Sequence, residues 1–143
     1  MAEFKFPEEK NLVFIGEAGS GKTETAVNLA LRMAREGGRR VHFFDMDQTK
    51  PLFRARDCEA QLEREGVVFH FQAQYLDAPT VASGVIETLR DEGSAVIMDI
   101  GGGSHGSHMI GQFSHLLNSA NTLVLYIVNP FRPWSGSRED IEV

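Results

Sequence analysis

A chain of 143 residues, 42% hydrophobic and 24% charged, is long enough to bury one sizeable core, so a single domain over residues 1–143 is expected. The formal net charge of −6 argues against the basic surface of a constitutive nucleic-acid binder, and no apolar run approaches the ~18 residues of a membrane span. The lone cysteine, Cys58, rules out a disulfide framework or a cysteine metal cluster within one chain, and between Asp57 and Glu59 it reads as structural. The opening Met-Ala-Glu-Phe-Lys-Phe-Pro has neither the basic start nor the long apolar stretch of a secretory signal, so a cytoplasmic location is expected.

The first strand is expected at Asn11 to Ile15, a short and mostly apolar run. It leads into Gly16-Glu17-Ala18-Gly19-Ser20-Gly21-Lys22-Thr23, which fits the phosphate-cradling P-loop G-x-x-x-x-G-K-[ST]. Glycines let such a backbone turn its N–H groups inward around phosphates, and the helix that follows offers its positive end to the same anion. By this reading Lys22 reaches the β- and γ-phosphates and Thr23 binds Mg²⁺. The helix carries Ala26, Ala30 and Met33 on one face and stops at Gly37-Gly38. Arg32, Arg35, Arg39 and Arg40 gather at its end and read as a solvated terminus whose charge complements the helix dipole.

A second strand is expected at Val41 to Asp45, and Asp45-Met46-Asp47 closes it with carboxylates able to hold Mg²⁺ through water or to orient an attacking oxygen. Then come a helix over Leu52 to Glu65 broken near Asp57, a third strand at Val67 to Phe71 carrying the sheet histidine His70, and a helix over Pro79 to Asp91 with Val81, Val85 and Leu89 on one face. The fourth strand, Ala95 to Ile100, contains Asp99 directly before Gly101-Gly102-Gly103. Asp99 reads as an acid of the Mg²⁺ shell, and the glycines, Gly102 among them, as donors to a γ-phosphate that move when it leaves.

Gly106-Ser107-His108-Met109 matches the scar of a cleaved expression tag, but its mid-chain position makes that a coincidence. A helix is expected at His108 to Leu117 with Ile110, Phe113 and Leu117 inward, and a fifth strand at Thr122 to Val128. His105, His108 and His115 have no nearby carboxylate or cysteine and read as polar helix-start residues, not metal ligands. Asn129-Pro130 turns the chain, and Ser135 or Ser137 is placed to cap a helix scarcely begun at Val143, so the domain is expected to be truncated at its C-terminus. Alternating strands and helices predict an α/β three-layer sandwich, a mostly parallel sheet with helices on both faces, with ligands at the carboxyl ends of the strands.

With the P-loop, Asp45-Met46-Asp47-Gln48, Asp99-x-x-Gly102 and Asn129-Pro130 in this order, the chain resembles the nucleotide-binding domain of the ParA/MinD-like (CobQ/CobB/MinD/ParA) ATPases over nearly its whole length. The resemblance implies ATP and Mg²⁺ as ligands and a slow ATPase acting as a nucleotide switch. It makes Lys22, Asp47 and Asp99 the catalytic residues, Asp47 orienting the attacking water, with Thr23, Asp45 and Asp99 serving the metal. It also implies a homodimer and a protein effector whose identity the residues do not give. The chain departs from the family's deviant loop, which carries a second lysine just after the first glycine, where this sequence has Glu17. The family's later base-contacting strands are not recognisable. The sequence is also similar to shikimate-kinase-like enzymes, through Asp45-Met46-Asp47 and Gly101-Gly102-Gly103; that likeness implies a small-molecule kinase in which Arg54 or Arg56 binds a substrate carboxylate. A third alternative is an ATP-binding module with little hydrolysis.

Overall fold

A computed structural model describes residues 7–17, 19–47, 55–71, 79–101, 103–131 and 137–138. Five strands, β1 (Asn11–Ile15), β2 (Arg40–Asp45), β3 (Val68–Phe71), β4 (Ser94–Asp99) and β5 (Thr122–Tyr126), form one parallel sheet in the order β3-β2-β4-β1-β5. Every residue of β4 is buried, as its position between β2 and β1 demands. Parallel neighbours need crossovers, supplied here by α1 (Lys22–Glu36), α2 (Glu59–Arg64), α3 (Pro79–Arg90), α4 (Gly103–Gln112) and α5 (Ser114–Leu117).

Alternation along the strands sorts side chains into two cores. Leu12 and Phe14 of β1, Val41 and Phe43 of β2, and Ala95 and Ile97 of β4 point one way, onto Ala26, Val27 and Ala30 of α1 and Leu62 of α2. Val13, Phe44, Val96 and Met98 point the other way, with Val85 and Leu89 of α3, Phe113 and Leu117. The result is the expected three-layer α/β sandwich. From β1 the chain crosses to β2 and β3, then returns to insert β4 beside β1, which opens a crevice at the carboxyl ends of β1 and β4.

Several boundaries differ from those expected. The stretch expected as a helix over 52–65 is a 3₁₀ turn at Ala55–Cys58 followed by α2; residues 52–54 lie outside those described, as does the side chain of Val81. Strand β5 ends at Tyr126, although the Ile127 N–H still donates to the Ile15 carbonyl at 2.8 Å. The helix expected to start at His108 begins at Gly103 and breaks at Phe113, so Gly106 to Met109 lies within α4. Gly106 is buried there, and a β-carbon on it would overlap the Gly101 carbonyl oxygen, which ties this residue to the fold. Of the expected caps, Ser135 lies outside the described residues.

His70 has the partner a sheet histidine needs. Its ring stacks on Phe44 at 4.3 Å, and its Nε2 lies 3.1 Å from His42 Nδ1, one nitrogen donating and the other accepting. Burial and then the neighbouring His42 hold the His70 imidazole down to about 4. The folded value lies below the unfolded one near 6.5, so as pH falls the unfolded chain takes up the proton first. The stability this neutral ring contributes is whole above pH 6.5 or so and is lost on the way down to about 4. By pH 5 the loss should reach about 1–2 kcal/mol, discounted for partial exposure. In urea unfolding at pH 7 and pH 5, His70→Phe should lose less stability between the two than the unsubstituted protein; equal losses would contradict this assignment.

Candidate nucleotide site

The site begins where β1 stops. Gly16 has φ of 155°, and a β-carbon on it would come within 2.5 Å of the Ile127 carbonyl oxygen and 2.9 Å of Ser20 Oγ, so only glycine lets the loop lie flush on the exit of β5. The Ser20 N–H donates to the Glu17 carbonyl at 3.1 Å and tightens the turn. Gly21, left-handed at φ 90°, starts α1 without a side-chain cap, so the first N–H groups of a 15-residue helix receive no side-chain acceptor from that position. That combination, N–H groups beyond the reach of intrahelical carbonyls at the positive end of a helix dipole, favours an anion. Ser20 adds an independent sign: among the described residues its Oγ is the buried side-chain polar atom without a hydrogen-bond partner. A hydroxyl held over Gly16 in this loop fits a phosphate oxygen as its acceptor.

The three strand-end motifs meet on Lys22. Its ammonium donates to Asp47 Oδ2 at 2.6 Å and to Asp99 Oδ1 at 2.7 Å, and the Thr23 hydroxyl donates to Asp99 Oδ2 at 2.7 Å. All four side chains are buried, Asp99 to within 1% of full burial. Burial works against the Lys22 charge, but attraction to Asp99 and hydrogen bonds to Asp47 and Asp99 outweigh it and hold the ammonium above its ordinary range. One cation against two carboxylates leaves the cluster negative, an excess that a divalent cation would offset.

Register explains why these residues converge. Asp45 and Asp99 are paired neighbours at the ends of β2 and β4, and the Met46 N–H donates to the Asp99 carbonyl at 2.9 Å, which carries Asp47 past the sheet edge toward α1. Asp45 is buried, its Oδ1 accepting from the Asp47 N–H at 3.4 Å. Among the described residues no three His, Cys, Asp or Glu are grouped to hold a metal. Thr23 and Asp99 nevertheless fit Mg²⁺, which is held through one or two protein oxygens, substrate phosphates and water. Glu17 and Gly19 are exposed at the mouth of the loop. Ala18, Gly102 and Arg54 lie outside the described residues, as does the side chain of Arg56. Gly103 is the first residue of α4, not part of an open loop.

Two contacts were not foreseen. The sequence offered no signal that Asp47 would pair with Lys22, since the partners are 25 residues apart on different elements. Nor was Asn129 counted among the site residues, yet its Nδ2 donates to the Gly19 carbonyl at 3.3 Å. Its signal was the Asn-Pro turn at the end of the strand beside β1.

The model of one protein family, CbiA, described as the CobQ/CobB/MinD/ParA nucleotide binding domain, matches residues 12–142. The chain belongs to the CobQ/CobB/MinD/ParA family. Comparison with curated proteins gave no match, and neither did comparison with solved structures. Of the two resemblances read from the sequence, the family match falls on the ParA/MinD-like one and makes this a nucleotide-binding domain. In this member of the CobQ/CobB/MinD/ParA family the match runs from β1 to beyond β5 and so takes in the loop, both acid-bearing strand ends and Asn129. No helix among the described residues is long and apolar enough to cross a membrane.

Proposed function

We propose that this domain binds ATP with Mg²⁺ and hydrolyses it slowly, as a switch read by a protein effector. The observation that carries this reading is the Lys22 ammonium held between Asp47 at 2.6 Å and Asp99 at 2.7 Å, with Thr23 on the same Asp99. Lys22 must exchange at least one carboxylate for phosphate oxygens when a triphosphate enters. Asp47 lies on the loop after β2, whereas Asp99 is the buried last residue of a central strand, so Asp47 is the partner that gives way. Binding and the position of the 47 loop are thereby one event, which is what a nucleotide switch requires.

Released from Lys22, Asp47 serves as the acceptor that orients a water for attack on the terminal phosphate, while Lys22 and the N–H groups of Gly19 and of Gly21 to Thr23 hold the charge that develops. Thr23, Asp99 and Asp45 would hold Mg²⁺, which would neutralise phosphate charge. The exposed carboxylate of Glu17 stands where the family's deviant loop has its lysine, so no cation from this position reaches a second chain's phosphates. Position 17 therefore offers no trans activation within a homodimer. Calorimetry with ATP should give one saturable site that weakens at least tenfold when EDTA removes Mg²⁺, accompanied by slow phosphate release. Equal affinity with and without Mg²⁺ would contradict the metal assignment.

A further inference from the structure

The chain leaving β5 runs along the back of the phosphate loop. Ile15 of β1 is paired with Tyr126, the Ile127 N–H donates to the Ile15 carbonyl at 2.8 Å, and a β-carbon on Gly16 would meet the Ile127 carbonyl oxygen at 2.5 Å. Two residues further on, the Asn129 side chain reaches the loop itself, its Nδ2 donating to the Gly19 carbonyl at 3.3 Å. Its Oδ1 accepts the Phe131 N–H at 3.0 Å, an Asx turn. That second bond sets the way the amide faces: with its oxygen on an N–H, asparagine turns its NH₂ group to the loop.

The loop has reason to need a tether. Gly16, Gly19 and Gly21 take positive φ values of 155°, 79° and 90°, a region that glycine enters without cost and leaves as readily. A peptide between such residues can turn over and aim its carbonyl oxygen where N–H groups should meet phosphate, and a carbonyl oxygen repels an anion. The peptide joining Gly19 to Ser20 is held at both polar ends. Its carbonyl takes Asn129, and its N–H, that of Ser20, donates to the Glu17 carbonyl at 3.1 Å. The bond to Glu17 lies within the loop and moves with it. The bond to Asn129 comes from another strand end and ties the loop to the sheet.

We infer that Asn129 is a positioning residue for the triphosphate, holding the Gly19–Ser20 peptide with its carbonyl toward β5 and so keeping the loop in its phosphate-binding shape before a ligand arrives. This rests on the reading that the loop from Gly16 to Thr23 holds the phosphates. The contact is to the loop alone, so the ligand class that senses it is a linear polyphosphate, with or without a nucleoside. Without the tether, binding must first order the loop, and affinity falls by that cost.

The test is calorimetry with ATP and with inorganic tripolyphosphate, each with Mg²⁺, on the unsubstituted protein and on Asn129→Ser, Asn129→Asp and Lys22→Ala, the folded fraction of each being taken from urea unfolding. Serine keeps a turn acceptor for Phe131 but is too short to reach Gly19. Asn129→Ser should therefore weaken both ligands by the same factor, about 2- to 10-fold per folded chain, the worth of one hydrogen bond. Asn129→Asp, which sets a carboxylate oxygen against the Gly19 carbonyl, should weaken both further. Unchanged affinity per folded chain in Asn129→Ser would overturn the inference whatever Asn129→Asp did, because a carboxylate also repels phosphate directly; Asn129 would then affect only the folded fraction. Loss of ATP affinity alone, with tripolyphosphate unchanged, would overturn it too, since the contact would then act on the nucleoside. If Lys22→Ala bound tripolyphosphate as tightly as the unsubstituted protein, the phosphate site itself would be misplaced and the role of Asn129 with it.

Discussion

Replacing Lys22 by methionine should destabilise the fold by about 3–5 kcal/mol at pH 8, the cost of leaving a buried carboxylate without its cation. The reason lies in the asymmetry of the cluster. Asp99 is the buried end of a central strand and cannot turn to water, and loss of Lys22 leaves it the Thr23 hydroxyl as donor. Burial already pushes the Asp99 carboxyl up, against the opposing pull of Lys22 and Thr23. In the variant only the protonated acid is tolerated well. Its folded pKa then lies far above the unfolded value near 3.9, so the carboxyl contributes stability at low pH that is lost as pH rises through the folded pKa. Urea unfolding should therefore show the gap between Lys22→Met and the unsubstituted protein narrowing from pH 8 to pH 5. Adding Asp99→Asn should recover part of the loss at pH 8. A gap independent of pH would mean that Lys22 contributes by packing its stem and not by its charge.

Asp47→Asn is expected to separate binding from turnover. As the acceptor for the attacking water Asp47 should account for about 10²- to 10⁴-fold in rate, so phosphate release should fall by that order. Binding should hold or tighten, because the substitution removes one of the two carboxylates with which phosphates compete for Lys22. The stability cost should be small, since Lys22 keeps Asp99. Single-turnover hydrolysis beside calorimetry checks both halves. A variant that bound ATP more weakly and hydrolysed it at the original rate would reverse the assignment, making Asp47 a prop for the nucleotide and leaving the water to another group.

Much of this site was legible in the sequence because local pattern and chemistry coincide there. The run from Asn11 to Ile15, the glycines after it and the helix from Lys22 each follow from nearest-neighbour rules, and Asp45 and Asp99 mark strand ends because each follows an apolar run. What was not legible depends on partners distant in the chain. Nothing within a few residues of Asp47 says that it closes on Lys22, and nothing near Asn129 says that its amide reaches Gly19.

The α4 boundary shows the same limit from the other side. Gly103 to Gln112 contains three glycines and begins with Gly-Ser, a composition that on propensity alone belongs to a turn. Bare backbone at position 106 permits a close approach to the Gly101 carbonyl, which a helix beginning at Gly103 requires. Residue propensities do not register this backbone contact between neighbouring turns, and the expected start at His108 came five residues late. The break at Phe113 was missed for a related reason: Ile110, Phe113 and Leu117 keep helical spacing through it, so the periodicity conceals the interruption.

The central claim is that Lys22, clamped by Asp47 and Asp99, is the residue a triphosphate must capture. Equilibrium dialysis of labelled ATP with Mg²⁺ measures this directly, run on the unsubstituted protein and on Lys22→Met at pH 6, with the folded fraction of each taken from urea curves at the same pH. One nucleotide bound per folded chain, with affinity reduced at least a hundredfold in Lys22→Met, is the predicted result. Equal affinity per folded chain in the two proteins would contradict it.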